Sequence, residues 1–301
     1  PATRIEVVTE GVLTRMLQSD PGLGGVGLVI FDEFHERHLE SDLGLALCLD
    51  LQGVLNAELR LLVMSATLVA APVAGLLGGA PVIACEGRQF PVETRYVGRR
   101  SGRPLEAAVA DAVLGAARSE EGSLLVFLPG AAEIRRVLVM LGSAGLGGEW
   151  ALAPLFGNLS KAEQDQAIVP APAGRRKIVL ATNIAETSLT IEGIRVVVDG
   201  GLVRAPRFDV RSGMARLVTM PVSKSSADQR RGRAGRTGPG ICYRLWSAEA
   251  HGALAEHSPP EILQTDLASL VLELALWGVA DASHLKWLDP PPEAAARKAR
   301  T

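Results

Sequence analysis

The 301-residue sequence has few cysteines and no long apolar run, and both absences narrow the class of protein. Its three cysteines, Cys48, Cys85 and Cys242, lie far apart and form no CxxC pair, so we expect free thiols in a reducing compartment. No apolar run reaches the ~18 residues that span a bilayer, and no N-terminal stretch has the pattern of a signal peptide. The sequence therefore predicts a cytoplasmic protein without a membrane partner.

The sequence also lacks an excess of charge of either sign. Its formal net charge is −2, so the overall charge does not indicate a nucleic-acid-binding protein. Locally, however, four arginines lie within seven residues, at Arg230, Arg231, Arg233 and Arg236. The length suggests about two domains.

Short apolar runs alternate with helix-like segments, which is typical of parallel α/β units. Strands are predicted at residues 27–31, 59–64, 82–84, 92–97, 123–128, 177–181, 196–199 and 241–246. Helices are predicted at residues 39–51, 105–117 and 133–141. Residues 200–220 predict a hairpin with a turn at Gly213, and the helical periodicity of Glu261–Trp277 predicts the start of a separate helical module.

Asp32-Glu33-Phe34-His35 directly follows the first predicted strand. Its two carboxylates would stand at the carboxyl end of a strand, where open α/β sheets bind ligands. Two acids there suit magnesium held by a nucleoside triphosphate, with Asp32 anchoring the hydrated ion and Glu33 orienting or deprotonating the attacking water. The alternative is a solvated acidic turn, because short motifs also match by chance.

Ser65-Ala66-Thr67 ends the next predicted strand. In a parallel sheet the two strand ends are neighbours, which would place two hydroxyls beside the two carboxylates. The alternative interpretation of such a turn is a helix N-cap. Thr9-Glu10-Gly11 has the same two interpretations, a phosphate-contacting helix start or an N-cap.

Residues 229–238 contain four arginines and three glycines in ten positions, a poor composition for a core. Arg233 and Arg236 are three apart, so on a helix they would project from one face, where they could stabilise charge on a γ-phosphate. The alternative is a basic surface for phosphate backbones, against which the glycines count, because they permit close backbone approach. Residues 181–193 gather hydroxyl and amide side chains beyond a strand end, either to position phosphates and sugars or as a capping loop.

Together these segments resemble the DEAH-box group of superfamily 2 helicases. The motifs occur in the family order over nearly the whole chain: TEG at 9–11, DEFH at 32–35, SAT at 65–67, FLPG at 127–130, ATNIAETSLTIEG at 181–193 and QRRGRAGRTGPG at 229–240. Residues 193–220, 242–246 and 288–292 are most similar to the bacterial HrpB-type branch. The resemblance implies an α/β fold with two RecA-like parallel-sheet domains that bind ATP in the cleft between them.

The resemblance also implies domain limits and a function. We expect the C-terminal part of a first RecA-like domain at 1–88, a second RecA-like domain at 89–247, and the start of a winged-helix module at 248–301. The segment 200–220 corresponds to the family's strand-separating hairpin. The implied function is that of an ATP-dependent helicase, a monomer that uses ATP and Mg²⁺ and acts on single-stranded or duplex nucleic acid, with RNA favoured over DNA as the substrate.

Site residues follow from the resemblance, position by position. In the first domain, Asp32 and Glu33 bind magnesium and position the attacking water, and His35 couples that site to the second domain. Ser65 and Thr67 link hydrolysis to domain movement. Thr9 contacts the nucleic-acid backbone. In the second domain, Thr182 contacts the same backbone and Ser188 senses the nucleotide. Glu192 replaces the family's usual aspartate near the ribose. Gln229 places the water, and Arg233 and Arg236 are the arginine fingers.

Besides Glu192, the sequence departs from the family in two further respects. It contains no GxxxxGK[ST] segment, since the glycine-rich stretch Gly22–Gly27 is not followed by Lys-Ser/Thr, and Phe34 replaces alanine in the name motif. We therefore expect a central fragment that lacks the triphosphate-binding loop, part of the first sheet and part of the winged helix. Alone it should bind ATP poorly and hydrolyse none. The alternatives are a nucleic-acid-binding module without ATPase activity and an interaction scaffold, against which the intact acids and arginines argue.

Overall fold

The computed structural model describes residues 3–66, 70–85, 87, 90–98, 102–146, 148–187, 189–209 and 213–300. The predicted site residues Thr67 and Ser188 lie outside these ranges. Within them the chain divides into two units, the first formed by residues 1–85, 206–216 and 259–301, and the second by residues 86–205 and 217–258.

Helices and parallel strands alternate along the chain, which confirms the predicted α/β class. The helices are α1 (Glu10–Ser19), α2 (Leu39–Val54), α3 (Ala70–Leu76), α4 (Leu105–Ser119), α5 (Ala131–Ser143), α6 (Lys161–Ile168), α7 (Lys224–Gly232), α8 (Ala248–Gly252), α9 (Ala268–Leu276) and α10 (Glu293–Lys298). The strands are β1 (Leu28–Phe31), β2 (Arg60–Val63), β3 (Val92–Tyr96), β4 (Ser123–Phe127), β5 (Trp150–Leu155), β6 (Arg176–Ala181), β7 (Ile194–Asp199), β8 (Leu202–Asp209), β9 (Met214–Pro221) and β10 (Gly240–Arg244). Single 3-10 turns occur at Phe34–Glu36, Asn183–Ala185, Arg233–Gly235, Glu261–Leu263 and Ala282–His284.

The second unit is built on a six-stranded parallel sheet in the order β3-β10-β7-β4-β6-β5. Successive residues of its central strands point to opposite faces, so each strand supplies two cores. On β4, Leu124 and Val126 join the core that contains Val109 of α4, whereas Leu125 and Phe127 join the other core. The sheet is apolar on both faces, as parallel sheets covered by helices are.

Two consecutive basic residues at the start of β6 fix this sheet to helices on its two faces. Arg176 donates to the carbonyls of Ala117, Glu120 and Gly122 at the end of α4. Lys177, 5% exposed, donates to the carbonyls of Gln166, Ala167 and Val169 at the end of α6. Cations at helix C-termini satisfy carbonyls that have no partner within the helix, and they interact favourably with the helix dipole.

In the first unit, β1 and β2 form a parallel pair whose core is completed by α1 and α2. The C-terminal residues share this core: buried side chains from the last stretch are Ile262, Leu267, Leu270, Leu274, Ala282, Leu285 and Ala296. The separate helical module expected at 248–301 is therefore divided, because residues up to 258 cluster with the second unit and residues from 259 onwards with the first.

The predicted hairpin is confirmed as the two-stranded sheet of β8 and β9. Its tip, residues 206–216, clusters with the first unit, where Phe208 N donates to the Gln264 carbonyl at 2.8 Å. Two sequence predictions were wrong. Residues 82–84 form no strand, and Ile83 is 90% exposed. The helix predicted over Glu261–Trp277 is interrupted after one 3-10 turn and resumes at Ala268 as α9.

None of the helices in the described ranges is long and apolar enough to cross a membrane.

Close backbone packing at Gly235 generates a stability prediction. A Cβ at Gly235 would lie 2.6 Å from the Phe90 carbonyl oxygen and 2.8 Å from a Val92 methyl group. We expect Gly235→Ala to lower the free energy of unfolding by about 1–3 kcal/mol, because the strand that begins at Val92 would have to shift. Urea unfolding measures the change.

The matched control is Gly115→Ala in α4, where an added Cβ meets no atom within 4 Å. This variant should raise the stability by about 1 kcal/mol, because alanine is the better helix former. Equal stabilisation by both substitutions would contradict the close approach at Gly235.

Candidate active site

The acidic motif lies where two parallel strands end side by side. In the pairing of β1 with β2, Phe31 is opposite Val63. The hydrogen bonds continue past the strands, since Met64 N donates to the Phe31 carbonyl at 2.8 Å and Phe34 N donates to the Met64 carbonyl at 3.0 Å. The prediction that the two strand ends are neighbours is confirmed, and it places the exposed Ser65 beside the acidic turn.

His35 joins the two motifs directly. Its side chain is 7% exposed, and its Nδ1 lies 3.5 Å from Glu33 Oε2. Ala66 N donates to the same Nδ1 at 3.2 Å, so Nδ1 is an acceptor and the proton of the neutral ring belongs on Nε2. Within the described residues Nε2 is buried and has no hydrogen-bond partner. His35 therefore presents a donor that its own surroundings do not use.

The two carboxylates remain accessible. Asp32 is exposed and its Oδ1 accepts from Glu33 N at 2.8 Å, while the Glu33 side chain is 39% exposed. Glu33 has φ 50°, in the left-handed region that non-glycine residues rarely occupy. No group of three metal-ligating side chains occurs in the part of the chain that is described. Two carboxylates fit Mg²⁺, which is commonly bound by one or two acids together with water and substrate phosphate.

The arginine-rich segment contacts the segment that follows β6. Arg233, 6% exposed, donates from Nε to the Glu186 carbonyl at 2.8 Å and from Nη1 to the Leu189 carbonyl at 2.6 Å, and its Nη2 also contacts the carbonyls of Glu186 and Thr187. Arg236 is exposed and donates to Thr190 Oγ1 at 2.5 Å. The two arginines thus both face residues 186–190. The structure brings the predicted segments 181–193 and 229–238 together.

The remaining predicted site residues lie at element boundaries. Thr9 is exposed immediately before α1, and Thr182 is half-buried before the 3-10 turn at 183–185. Neither hydroxyl makes the side-chain capping bond that the N-cap interpretation requires. Gln229 is half-buried on α7, and Glu192 is exposed in the turn before β7.

Sequence reasoning missed a buried ion cluster formed by Arg230, Glu186 and Asp199. Arg230 is 1% exposed, with its Nε 2.9 Å from Glu186 Oε2 and its Nη1 2.9 Å from Asp199 Oδ1. Its guanidinium lies over the Phe127 ring, 4.9 Å from the centroid. Burial alone would lower the pKa of Arg230, but Asp199 and Glu186 hold that pKa above its ordinary value. The sequence signal was an acid, Asp199, directly after the apolar run of β7.

Loss of the Arg230 charge should be strongly destabilising. Arg230→Met leaves two carboxylates with no cation, one of them fully buried, and we expect it to cost about 3–5 kcal/mol of unfolding free energy. The matched control is Arg231→Met. Its side chain is 38% exposed and lies 3.5 Å from Asp228, so the cost should stay within about 1 kcal/mol. Urea denaturation of both variants measures the difference, and similar costs would refute the assigned role of Arg230.

Known proteins share both the sequence and the fold. The family of the helicase conserved C-terminal domain matches residues 106–238. The ATP-dependent RNA helicase HrpB of Escherichia coli (strain K12) is 55% identical over 292 residues, which are 97% of this chain and 36% of that protein. The probable ATP-dependent RNA helicase DHX34 of Mus musculus is 39% identical over 312 residues, covering 99% of this chain and 27% of that protein. The chain thus spans well under half the length of these relatives.

Two crystal structures of E. coli HrpB extend the comparison to the fold. One, of a DExH-box NTPase, matches with a TM-score of 0.90 and 54% identity over 99% of this chain and 37% of that chain. The other, of a DEAH/RHA helicase, matches with a TM-score of 0.94 and 54% identity over 100% of this chain and 38% of that chain. The expected RecA-like fold is confirmed, and over nearly its whole length the chain is similar in sequence and fold to the DEAH/RHA helicase HrpB.

Proposed function

We propose that the protein containing this chain is an ATP-dependent RNA helicase, which couples ATP hydrolysis to translocation along RNA or to its unwinding. The main support is the junction of the two strand ends, where Asp32, Glu33 and His35 stand beside Ser65. The names of the relatives support RNA as the substrate.

In this proposal the acids act on water and on the metal. Mg²⁺, when bound with ATP, would neutralise charge on the β- and γ-phosphates. Asp32, the more exposed acid, orients water in the hydration shell of that ion. Glu33 orients the attacking water and accepts its proton, for which its accessible carboxylate is suited. The Nε2–H of His35 has no partner among the described residues, and His35 is proposed to couple this site to the second domain.

The second unit supplies positive charge and polar contacts. Arg236 is exposed and is proposed to stabilise the charge that develops on the γ-phosphate. Arg233 is proposed to stabilise the same charge, and because its guanidinium is hydrogen-bonded to the carbonyls of Glu186 and Leu189, it must exchange those bonds to do so. Gln229 helps to place the water, Ser188 senses the nucleotide and Glu192 contacts the ribose.

Nucleic-acid contacts are proposed for hydroxyls that their own elements do not use. Thr9 and Thr182 each precede a helical turn without capping it, so each hydroxyl can donate to a phosphate oxygen. Ser65 and Thr67 are proposed to link hydrolysis to domain movement. A module that binds nucleic acid without hydrolysing ATP is the alternative, and the first test below separates the two.

Replacing Glu33 tests the hydrolysis directly. In the full-length protein, Glu33→Gln should lower kcat for ATP hydrolysis by at least about 10²-fold, because a general base contributes about 10²–10⁴-fold. KM for ATP should change little, because the amide keeps the size of the side chain. A phosphate-release assay with RNA present measures both constants. Glu58→Gln, at an exposed acid before β2, is the control and should leave the rate unchanged. Wild-type rates for Glu33→Gln would favour the binding module.

Binding of RNA should depend strongly on salt and weakly on sequence. Backbone contacts release counterions, so log Kd should rise linearly with log salt concentration, with a slope of about 0.7 per neutralised phosphate on a single strand. Thr9→Ala and Thr182→Ala should each weaken binding about fivefold for every oligonucleotide, the value of one hydrogen bond. Ser143→Ala, at an exposed hydroxyl at the end of α5, should have no effect. Filter binding in which one sequence is preferred by more than about a hundredfold would contradict backbone recognition.

A further inference from the structure

The turn next to the acids is flanked by two residues whose backbone lies in the left-handed region of φ and ψ. Glu33 has φ 50° and Arg37 has φ 54°, on either side of the 3-10 turn Phe34–Glu36. Non-glycine residues rarely adopt this conformation, and they keep it only where the surrounding structure determines it. The turn therefore needs external contacts at both of its ends. At the Glu33 end, hydrogen bonds to the strand junction at Met64–Ala66 supply them.

At the Arg37 end, the contacts come from two acids far along the chain but in the same unit. Asp289 Oδ2 lies 2.8 Å from Arg37 Nη1. Glu261 N donates to the Arg37 carbonyl at 3.0 Å, and Glu261 Oε2 accepts from Leu39 N at 3.0 Å. Glu261 thus binds the backbone on both sides of His38, at the junction between the turn and α2.

His38 strengthens this arrangement electrostatically. Its Nδ1 lies 3.5 Å from Glu261 Oε2, and its Nε2 lies 2.6 Å from Glu36 Oε2. Glu261 and then Glu36 raise the pKa of His38, while His38 lowers the pKa of Glu261. At neutral pH the histidine is therefore a cation between two carboxylates. Arg37 is held in addition by Asp42, with both of its hydrogen bonds at 3.1 Å.

We propose that Glu261 and Asp289 are positioning residues for the acid pair. They fix the Arg37–Leu39 end of the turn, so that Glu33 at the other end keeps the left-handed conformation in which its carboxylate stands beside His35. This proposal rests on the proposed function, because it assigns to two residues of the C-terminal stretch an effect on the reaction that Glu33 performs. It predicts that weakening either contact lowers the rate of the chemical step and leaves ATP binding almost intact.

The test uses the full-length protein with the isosteric changes Asp289→Asn and Glu261→Gln. Each should lower kcat for RNA-stimulated ATP hydrolysis about tenfold, because small displacements of a catalytic group cost rate steeply. KM for ATP should stay within about twofold. Asp289→Glu, which keeps the charge, should recover most of the rate. The control is Glu293→Gln in α10, whose exposed carboxylate pairs with the exposed Arg297 one helical turn later, and both constants should be unchanged.

A second background separates positioning from general stabilisation. When Glu33→Gln is already present, adding Asp289→Asn should lower the single-turnover rate of ATP hydrolysis less than about twofold. The reason is that the effects of substitutions are not additive when one residue acts through the other. An equal tenfold loss in both backgrounds would overturn the positioning role, as would wild-type kcat for Asp289→Asn and Glu261→Gln. Wild-type kcat for Glu33→Gln alone would instead refute the proposed function, so the two failures are distinguishable.

Discussion

Arg230 is a full positive charge that is almost completely buried, and the need to neutralise it determines how the polar segments of the second unit meet. Glu186 comes from the segment after β6, Asp199 ends β7, and Arg230 itself lies on α7. A buried cation is tolerated only with its counter-ions in place, so these three segments are held at fixed distances. Arg233 and Arg236 follow within two turns and bind the same stretch of chain, Arg233 through the Glu186 carbonyl and Arg236 through the Thr190 hydroxyl.

Much of this arrangement could be predicted because the motifs follow apolar runs directly. The run ending at Phe31 and the run ending at Val63 are both short and followed by polar residues, so a parallel pairing necessarily places Asp32 near Ser65. The hairpin was also predictable, from the break in pattern and from Gly213 at its turn. The strand β5 was missed because it contains Pro154. Proline in a sequence argues against a strand, but it is tolerated in an edge strand, which is where β5 lies.

Other features could not be derived, for physical reasons. Periodicity in residues 261–277 indicates that Leu270 and Leu274 are buried but not what they are buried against, and so the shared core with the first unit was not foreseen. The interruption of that helix arises locally, since Asp266 Oδ1 accepts from Ala268 N and starts the helix anew. The spacing of Arg233 predicted a common face with Arg236, yet the partners of Arg233 are backbone carbonyls, which carry no signature in a sequence.

The start of β6 shows how a parallel sheet can be protected against misalignment. Side chains on a strand alternate between its faces, so a slip by one position would exchange the directions of Arg176 and Lys177. Each cation would then leave the carbonyls of its own helix, α4 on one side and α6 on the other. The apolar side chains alone distinguish the correct register from a shifted one only weakly, because both faces of β6 are apolar. The two adjacent charges therefore help to specify the register of this strand, because a shifted register would be unfavourable on both faces of the sheet.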